Sequence, residues 1–183
     1  SLAALRAKLE LKEIQLLAAL IIKRMQTEIE PRWVARLGQS LGRFCDRLEP
    51  QDVEPAAMVI IRHMIGASDS ITLAELGMAF GSLSSKLKPE QVRSVAVMIV
   101  LRMENENDLN SLYRLSQVLE NIHSQLDSVQ VQPALDRLLP ALKTIEVTDQ
   151  REILGMAFGN LSAHMEPQTA IELLDQFPEF PLV

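Results

Sequence analysis

The sequence predicts an all-α fold, a right-handed α-solenoid of two-helix hairpins. Three observations predict it: an internal repeat of 39 residues, apolar residues spaced three and four apart on both sides of a recurring proline, and aromatics that make up only 4% of the 183 residues. A core built from Leu, Ile, Val, Met and Ala favours helices over sheets. The repeat is read from one segment that returns twice. Leu37-Gly-Gln-Ser-Leu41-Gly-Arg-Phe44-Cys-Asp-Arg-Leu48-Glu-Pro50 comes back as Leu76-Gly-Met-Ala-Phe80-Gly-Ser-Leu83-Ser-Ser-Lys-Leu87-Lys-Pro89 and as Leu154-Gly-Met-Ala-Phe158-Gly-Asn-Leu161-Ser-Ala-His-Met165-Glu-Pro167. The first interval is 39 residues and the second 78, so a unit must lie between the last two copies. Leu115, Leu119, Ile122 and Leu126 supply it, each in register with Leu76, Phe80, Leu83 and Leu87. Backward, Ile14, Leu17, Ile21 and Met25 match Val53, Ala56, Ile60 and Met64. The whole chain, 1–183, is therefore one repeat domain with units at 1–30 (partial), 31–69, 70–108, 109–147 and 148–183.

Each unit divides into two helices. Val34, Leu37, Leu41, Phe44 and Leu48 form the stripe of a first helix, and Val53, Ala56, Ala57, Ile60, Ile61 and Met64 that of a second. One unit later Val92, Val95, Ala96, Ile99, Val100 and Met103 repeat the second stripe. Pro50, Pro89 and Pro167 stand between the helices, where a missing N–H suits the first turn. Second helices are expected to stop near Gly66 and Asn105, in the left-handed conformation that these residue types tolerate. Thr72 with Glu75 and Asp149 with Glu152 have capping-box spacing for later first helices.

Six of the seven glycines fall at two equivalent sites, Gly38 and Gly42, Gly77 and Gly81, Gly155 and Gly159. A mid-helix glycine costs about 1 kcal/mol against alanine, so something must offset it. Residues four apart share a helix face, and the pairs, extended by Cys45, Ser84 and Ser162, make a groove in which the neighbouring hairpin approaches closely. The unit at 109–147 departs from the pattern. Ser116, Glu120 and His123 replace the small residues, and Pro140 is expected to kink or break its second helix. A very apolar helix near Ile14 with little before it leads to the expectation that more chain precedes it.

Two-helix units of 39 residues resemble the HEAT and armadillo class of α-solenoids, whose units run to about 40–47 residues. The resemblance spans nearly the whole chain and is architectural. It implies one continuous core, and no functional residue is carried over from it.

Composition narrows the function. A net charge of −6, from 18 basic and 24 acidic residues, gives no basic footprint for nucleic acid. The run from Ile14 to Ile22, interrupted by Gln15, falls well short of the roughly 20 residues of a membrane span, so no membrane association is expected. One cysteine and three histidines offer neither an internal disulfide nor a zinc cluster, which points to a reducing, cytoplasmic location. Cys45 with His63 or His123 is the one nucleophile pattern available, yet Cys45 is in register with Ser84 and Ser162 on the small-residue face, as a structural thiol would be. No two histidines are spaced for a metal, and there is no phosphate loop or Gly-x-Ser-x-Gly. No catalytic, cofactor or metal site is expected, and the chain is read as not an enzyme.

Binding has more to rest on. Second helices carry apolar residues beyond the stripe at Leu16, Ala19 and Leu20, at Met58 and Val59, and at Val97, Met98 and Leu101, giving way to Asp136 and Arg137 and then Asp175 and Gln176. Such positions are either buried between neighbouring hairpins or form a groove for a partner. The candidate protein-binding residues are Met58, Val59, Val97, Met98 and Leu101, and the expected function is a protein–protein interaction scaffold or sensor module, part of a larger protein, with a protein partner. Two alternatives stand beside it: an enzyme using Cys45 or a Glu120/His123 notch, and self-assembly into homo-oligomers through uncapped ends.

Overall fold

A computed structural model describes residues 10–122, 126, 128–144, 155, 158 and 159. Among them the chain is all-helical, with seven α-helices and no strand. In order these are α1 (Leu11–Thr27), α2 (Pro31–Gly42), α3 (Pro50–Gly66), α4 (Ser70–Gly81), α5 (Pro89–Glu104), α6 (Leu109–Ile122) and α7 (Ser128–Thr144).

Prolines open α2, α3 and α5, as their fixed φ and absent N–H allow. At α1, α3 and α5 the third helical side chain reaches back to the capping residue: Glu13 accepts from the Glu10 N–H (2.7 Å), Asp52 from Glu49 (3.2 Å) and Gln91 from Lys88 (3.1 Å). α4 starts differently from the expectation. Asp69 is its cap, accepting the Thr72 N–H at 2.8 Å, so Thr72 is the third helical residue rather than the cap. An Asp immediately ahead of the helix outcompetes Thr because its carboxylate also favours the positive end of the helix dipole.

Two further expectations are corrected. The first helices do not run through their whole stripe: α2 and α4 stop at Gly42 and Gly81, and 3-10 turns at Cys45–Arg47 and Ser84–Lys86 carry Phe44, Leu48, Leu83 and Leu87 into the core. Gly has poor helix propensity, and Ser82 and Ser84 donate to the carbonyls of Ala79 (2.7 Å) and Gly81 (2.8 Å), which tightens the chain out of the α-helix. Helices α3 and α5 end near Gly66 and Asn105, but without left-handed residues; no described residue has positive φ. Ala67 and Asn105 donate to carbonyls three residues back, and the Asn105 side chain caps the Leu101 carbonyl at 2.9 Å. Pro140 does not break its helix either, since α7 continues to Thr144. The carbonyl that Pro140 deprives of a donor belongs to Asp136, and that of Pro55 to Gln51, both on the exposed side of their helices.

Packing alternates by chain order. α2 packs on α4 and α4 on α6, in one row; α1 packs on α3 and α5 on α7, in the other. A single apolar cluster runs between the rows from Ile14 to Leu138 and includes Phe158. Glycines set the spacing of the first row. A Cβ added at Gly77 would lie 2.5 and 2.7 Å from the two methyls of Val118, one at Gly38 3.1 Å from the Ala79 Cβ, and one at Gly81 2.9 Å from the Asn121 Cβ, while at Gly42 it would strike Ser82. At Gly42, Gly77 and Gly81 those distances are shorter than real Cβ contacts, so the close approach of α2, α4 and α6 there depends on glycine, while at Gly38 Ala79 would have to give by a few tenths of an ångström. The pair Asp149/Glu152 and Pro167 lie outside the described residues.

Candidate protein-binding surface

In the second row, α3 and α5 do not share the close backbone contact that α1 makes with α3. Long polar side chains bridge them instead. Lys88 Nζ lies 3.5 Å from Glu54 Oε1, and Gln91 Nε2 donates to the same oxygen at 3.4 Å and reaches Met58 Sδ at 4.0 Å.

These bridges fix which way each α5 face points. Gln91 and Arg102 lie seven residues before and four after Met98, on its side of the helix. Both reach back: Gln91 to α3, and Arg102 through Nε to Ser70 Oγ (3.0 Å) and through Nη2 to the Ser68 carbonyl ahead of α4. Met98 therefore points toward the preceding unit and is half-buried. One repeat earlier Val59 has the same orientation and is 6% exposed, packed into the core cluster. Val59 is thus not part of an open surface. A position off the hydrophobic stripe meets a neighbouring helix when it lies on the flank that faces one.

Met58, Val97 and Leu101 lie on the outward side, exposed by 51%, 52% and 55%. Met58 and Val97 are equivalent positions one repeat apart, and Leu101 is one turn beyond Val97. Ile65, seven residues after Met58 and 72% exposed, extends the apolar face along α3, with exposed Arg62 between them. The same spacing of seven was available in the sequence to find it. On α7 the position equivalent to Val97 is exposed Asp136, with Gln132 donating to it at 2.7 Å. Arg137, the equivalent of Val59 and Met98, caps α5 by donating to the carbonyls of Met103 (3.2 Å) and Glu106 (2.5 Å).

Electrostatics around the surface are local. Ser70 Oγ also donates to the Glu106 carboxylate. Burial pushes the Glu106 carboxyl up, but the bonds from Ser70 and from the Asp108 and Asn107 N–H groups more than offset this and leave it below the ordinary 4.5. Asp69 is likewise held below 3.8 by the Thr72 N–H.

The nucleophile candidate is placed differently. Cys45 is buried, its thiol near the Leu83 carbonyl (3.9 Å) and Ser85 Oγ (4.0 Å). Burial pushes that thiol up from 9.0, against smaller downward pulls from Ser85 and Lys86, the opposite of what activates a cysteine. Glu120 is half-buried on α6, and His123, its proposed partner in a notch, lies outside the described residues. Ser116, at a glycine site, is buried and donates to the Tyr113 carbonyl at 2.7 Å. Among the described residues no three His, Cys, Asp or Glu side chains group to hold a metal, and no helix is long and apolar enough to cross a membrane. No family model, no curated protein and no solved structure matches the chain.

Proposed function

We propose that the chain is a protein–protein interaction scaffold or sensor module, a right-handed solenoid of HEAT/armadillo-like hairpins working in the cytoplasm. Its partner docks on the outward face of α3 and α5. The reading is carried by one observation: Met58, Ile65, Val97 and Leu101 stay exposed on that face while the equivalent of Val97 on α7 is Asp136. Apolar side chains that contribute nothing to the helix stripe are retained where a partner gains by burying them, and methionine adds adaptability. Nucleic acid, membrane and cofactor have no part in this reading.

The test is quantitative capture. Immobilised chain and its Met58→Ser/Val97→Ser/Leu101→Ser variant are incubated with the same cell extract, and bound proteins are compared by mass spectrometry. Each buried anchor is worth about 1–3 kcal/mol, so a partner on this face is depleted at least tens-fold on the variant, whose melting temperature stays near that of the parent. Equal capture by both chains contradicts the assignment.

A further inference from the structure

Because α3 and α5 stand apart, joined at one end by the Glu54–Lys88–Gln91 bridge, their outward edges enclose a groove. Val59 faces α1, so Ile61, two residues on and about 200° around the helix, faces α5. Ile61 and, from the other side, Met98 are half-buried against the core and form the floor. Met58 and Ile65 border the groove on α3, and Val97 and Leu101 on α5, each more than half exposed. From Glu54 to Ile65 it runs about 16 Å, three turns of helix. Both walls are helices, whose backbone groups are already paired, so an extended segment lying here would find no strand edge to bond. A helix satisfies its own backbone and can turn one apolar stripe to both walls.

The two sides of the groove differ in charge. On the α3 side Arg62 is exposed one turn after Met58, and Lys12 and Lys23 of α1 hold the register positions of Gln51 and Arg62. Gln51 and Arg62 stay exposed although α1 packs beside α3, so the exposure of Lys12 and Lys23 belongs to the outward face and not to the end of the stack. Of the carboxylates on this side, Glu54 is bridged to Lys88, and Glu13 and Asp52 cap their helices. On the α5 side lie Glu90 and Glu104, with Arg93 between them in sequence, and Asp136 follows on α7. Lys12, Lys23, Arg62, Glu90, Arg93 and Glu104 are in no ion pair among the described residues. We propose that the occupant is an amphipathic helix of a partner protein, about three turns long, with its apolar stripe in the groove and polar flanks of opposite sign, acidic along α3 and basic along α5. This rests on the reading of the face as a docking surface and adds the chemistry of what docks.

Three synthetic peptides of about 15 residues, held helical by a side-chain staple, share one Leu/Met stripe and are titrated by fluorescence anisotropy. One carries Glu on one flank and Lys on the other, the second Lys on both, the third Glu on both. The mixed-flank peptide is expected to bind at least tenfold more tightly than either other, and to be lost on Met58→Ser/Val97→Ser/Leu101→Ser. Arg62→Glu weakens the mixed peptide several-fold and strengthens the all-Lys one; Glu104→Lys weakens the mixed peptide and strengthens the all-Glu one. Both change exposed side chains and keep the melting temperature. Arg62→Glu/Glu104→Lys restores the mixed peptide, because a helix turned end for end exchanges its flanks. Equal binding of the three peptides, or indifference to both charge reversals, overturns the proposal; if the triple Ser variant still abolishes that binding, the docking face itself survives. Absence of peptide binding, or binding that the triple variant leaves intact, also overturns it, and the docking face is then judged by capture from extract alone.

Discussion

Successive first helices, α2, α4 and α6, meet through glycines with no room for a methyl group, whereas α3 and α5 in the other row stand apart and are joined by Glu54, Lys88 and Gln91. The same repeat thus spends its small residues on one row and leaves long, adaptable side chains on the other. Each glycine gives up about 1 kcal/mol of helix propensity, which close packing around Val118 and Ala79 offsets. A tightly registered row sets the geometry, and the looser row can present residues to a partner without disturbing it. The lesson is that identical stripes in sequence do not make identical surfaces, because neighbours decide what each flank meets.

The comparison is broken most severely in the core shared by both rows. Ile99 is completely buried, and Ile99→Ser combines a cavity with an unpaired hydroxyl; about 3–5 kcal/mol should be lost, read as a collapse of the urea midpoint. Next comes the first row itself. Gly77→Leu should lose about 1–3 kcal/mol despite leucine's better helix propensity, because Val118 occupies its space. Gly66→Ala is the contrasting change, with nothing within 4 Å of the added Cβ, and should be neutral or stabilising by up to about 1 kcal/mol. A smaller contrast separates neighbours in the second row: Val59→Ser should cost about 1–3 kcal/mol while Met58→Ser stays within about 0.5, both by chemical denaturation.

The smallest effect is that of pH. Asp69 and Glu106 have carboxyls below their ordinary values in the folded chain, so they stabilise it at neutral pH, and this contribution is lost as pH falls through 4.5 and 3.8 toward the depressed folded values. Asp69 is exposed and Glu106 half-buried at the edge of solvent, so screening holds each contribution to less than about 1 kcal/mol. Asp69→Asn and Glu106→Gln should each flatten the acid side of a stability-against-pH curve slightly, measured as denaturant midpoints between pH 3 and 7.

Much of this architecture was legible in the sequence. Period and stripe identify the helices because burial repeats every three or four residues, and paired glycines four apart reveal a close approach because little else justifies their cost mid-helix. Local hydrogen bonding was harder to read. Asp69 rather than Thr72 caps α4, Ser82 and Ser84 turn the chain out of its helix, and Pro140 is tolerated because Asp136 is exposed. Within the candidate site, Met58, Val97 and Leu101 were readable as positions beyond the stripe. Val59 was not, since its burial depends on α1 lying alongside, and a single-helix pattern carries no information about which flank has a neighbour.

The central claim, that glycines in one first helix are there to admit side chains of the next, is tested most directly by a double-mutant cycle between Gly77 and Val118. Unfolding free energies are measured for the parent chain, Gly77→Ala, Val118→Ala and the double variant. Gly77→Ala should destabilise the parent but become neutral or stabilising once Val118→Ala has removed the two methyls it strikes, giving a coupling of about 1 kcal/mol or more. Additive effects, with Gly77→Ala costing the same in both backgrounds, would contradict the account.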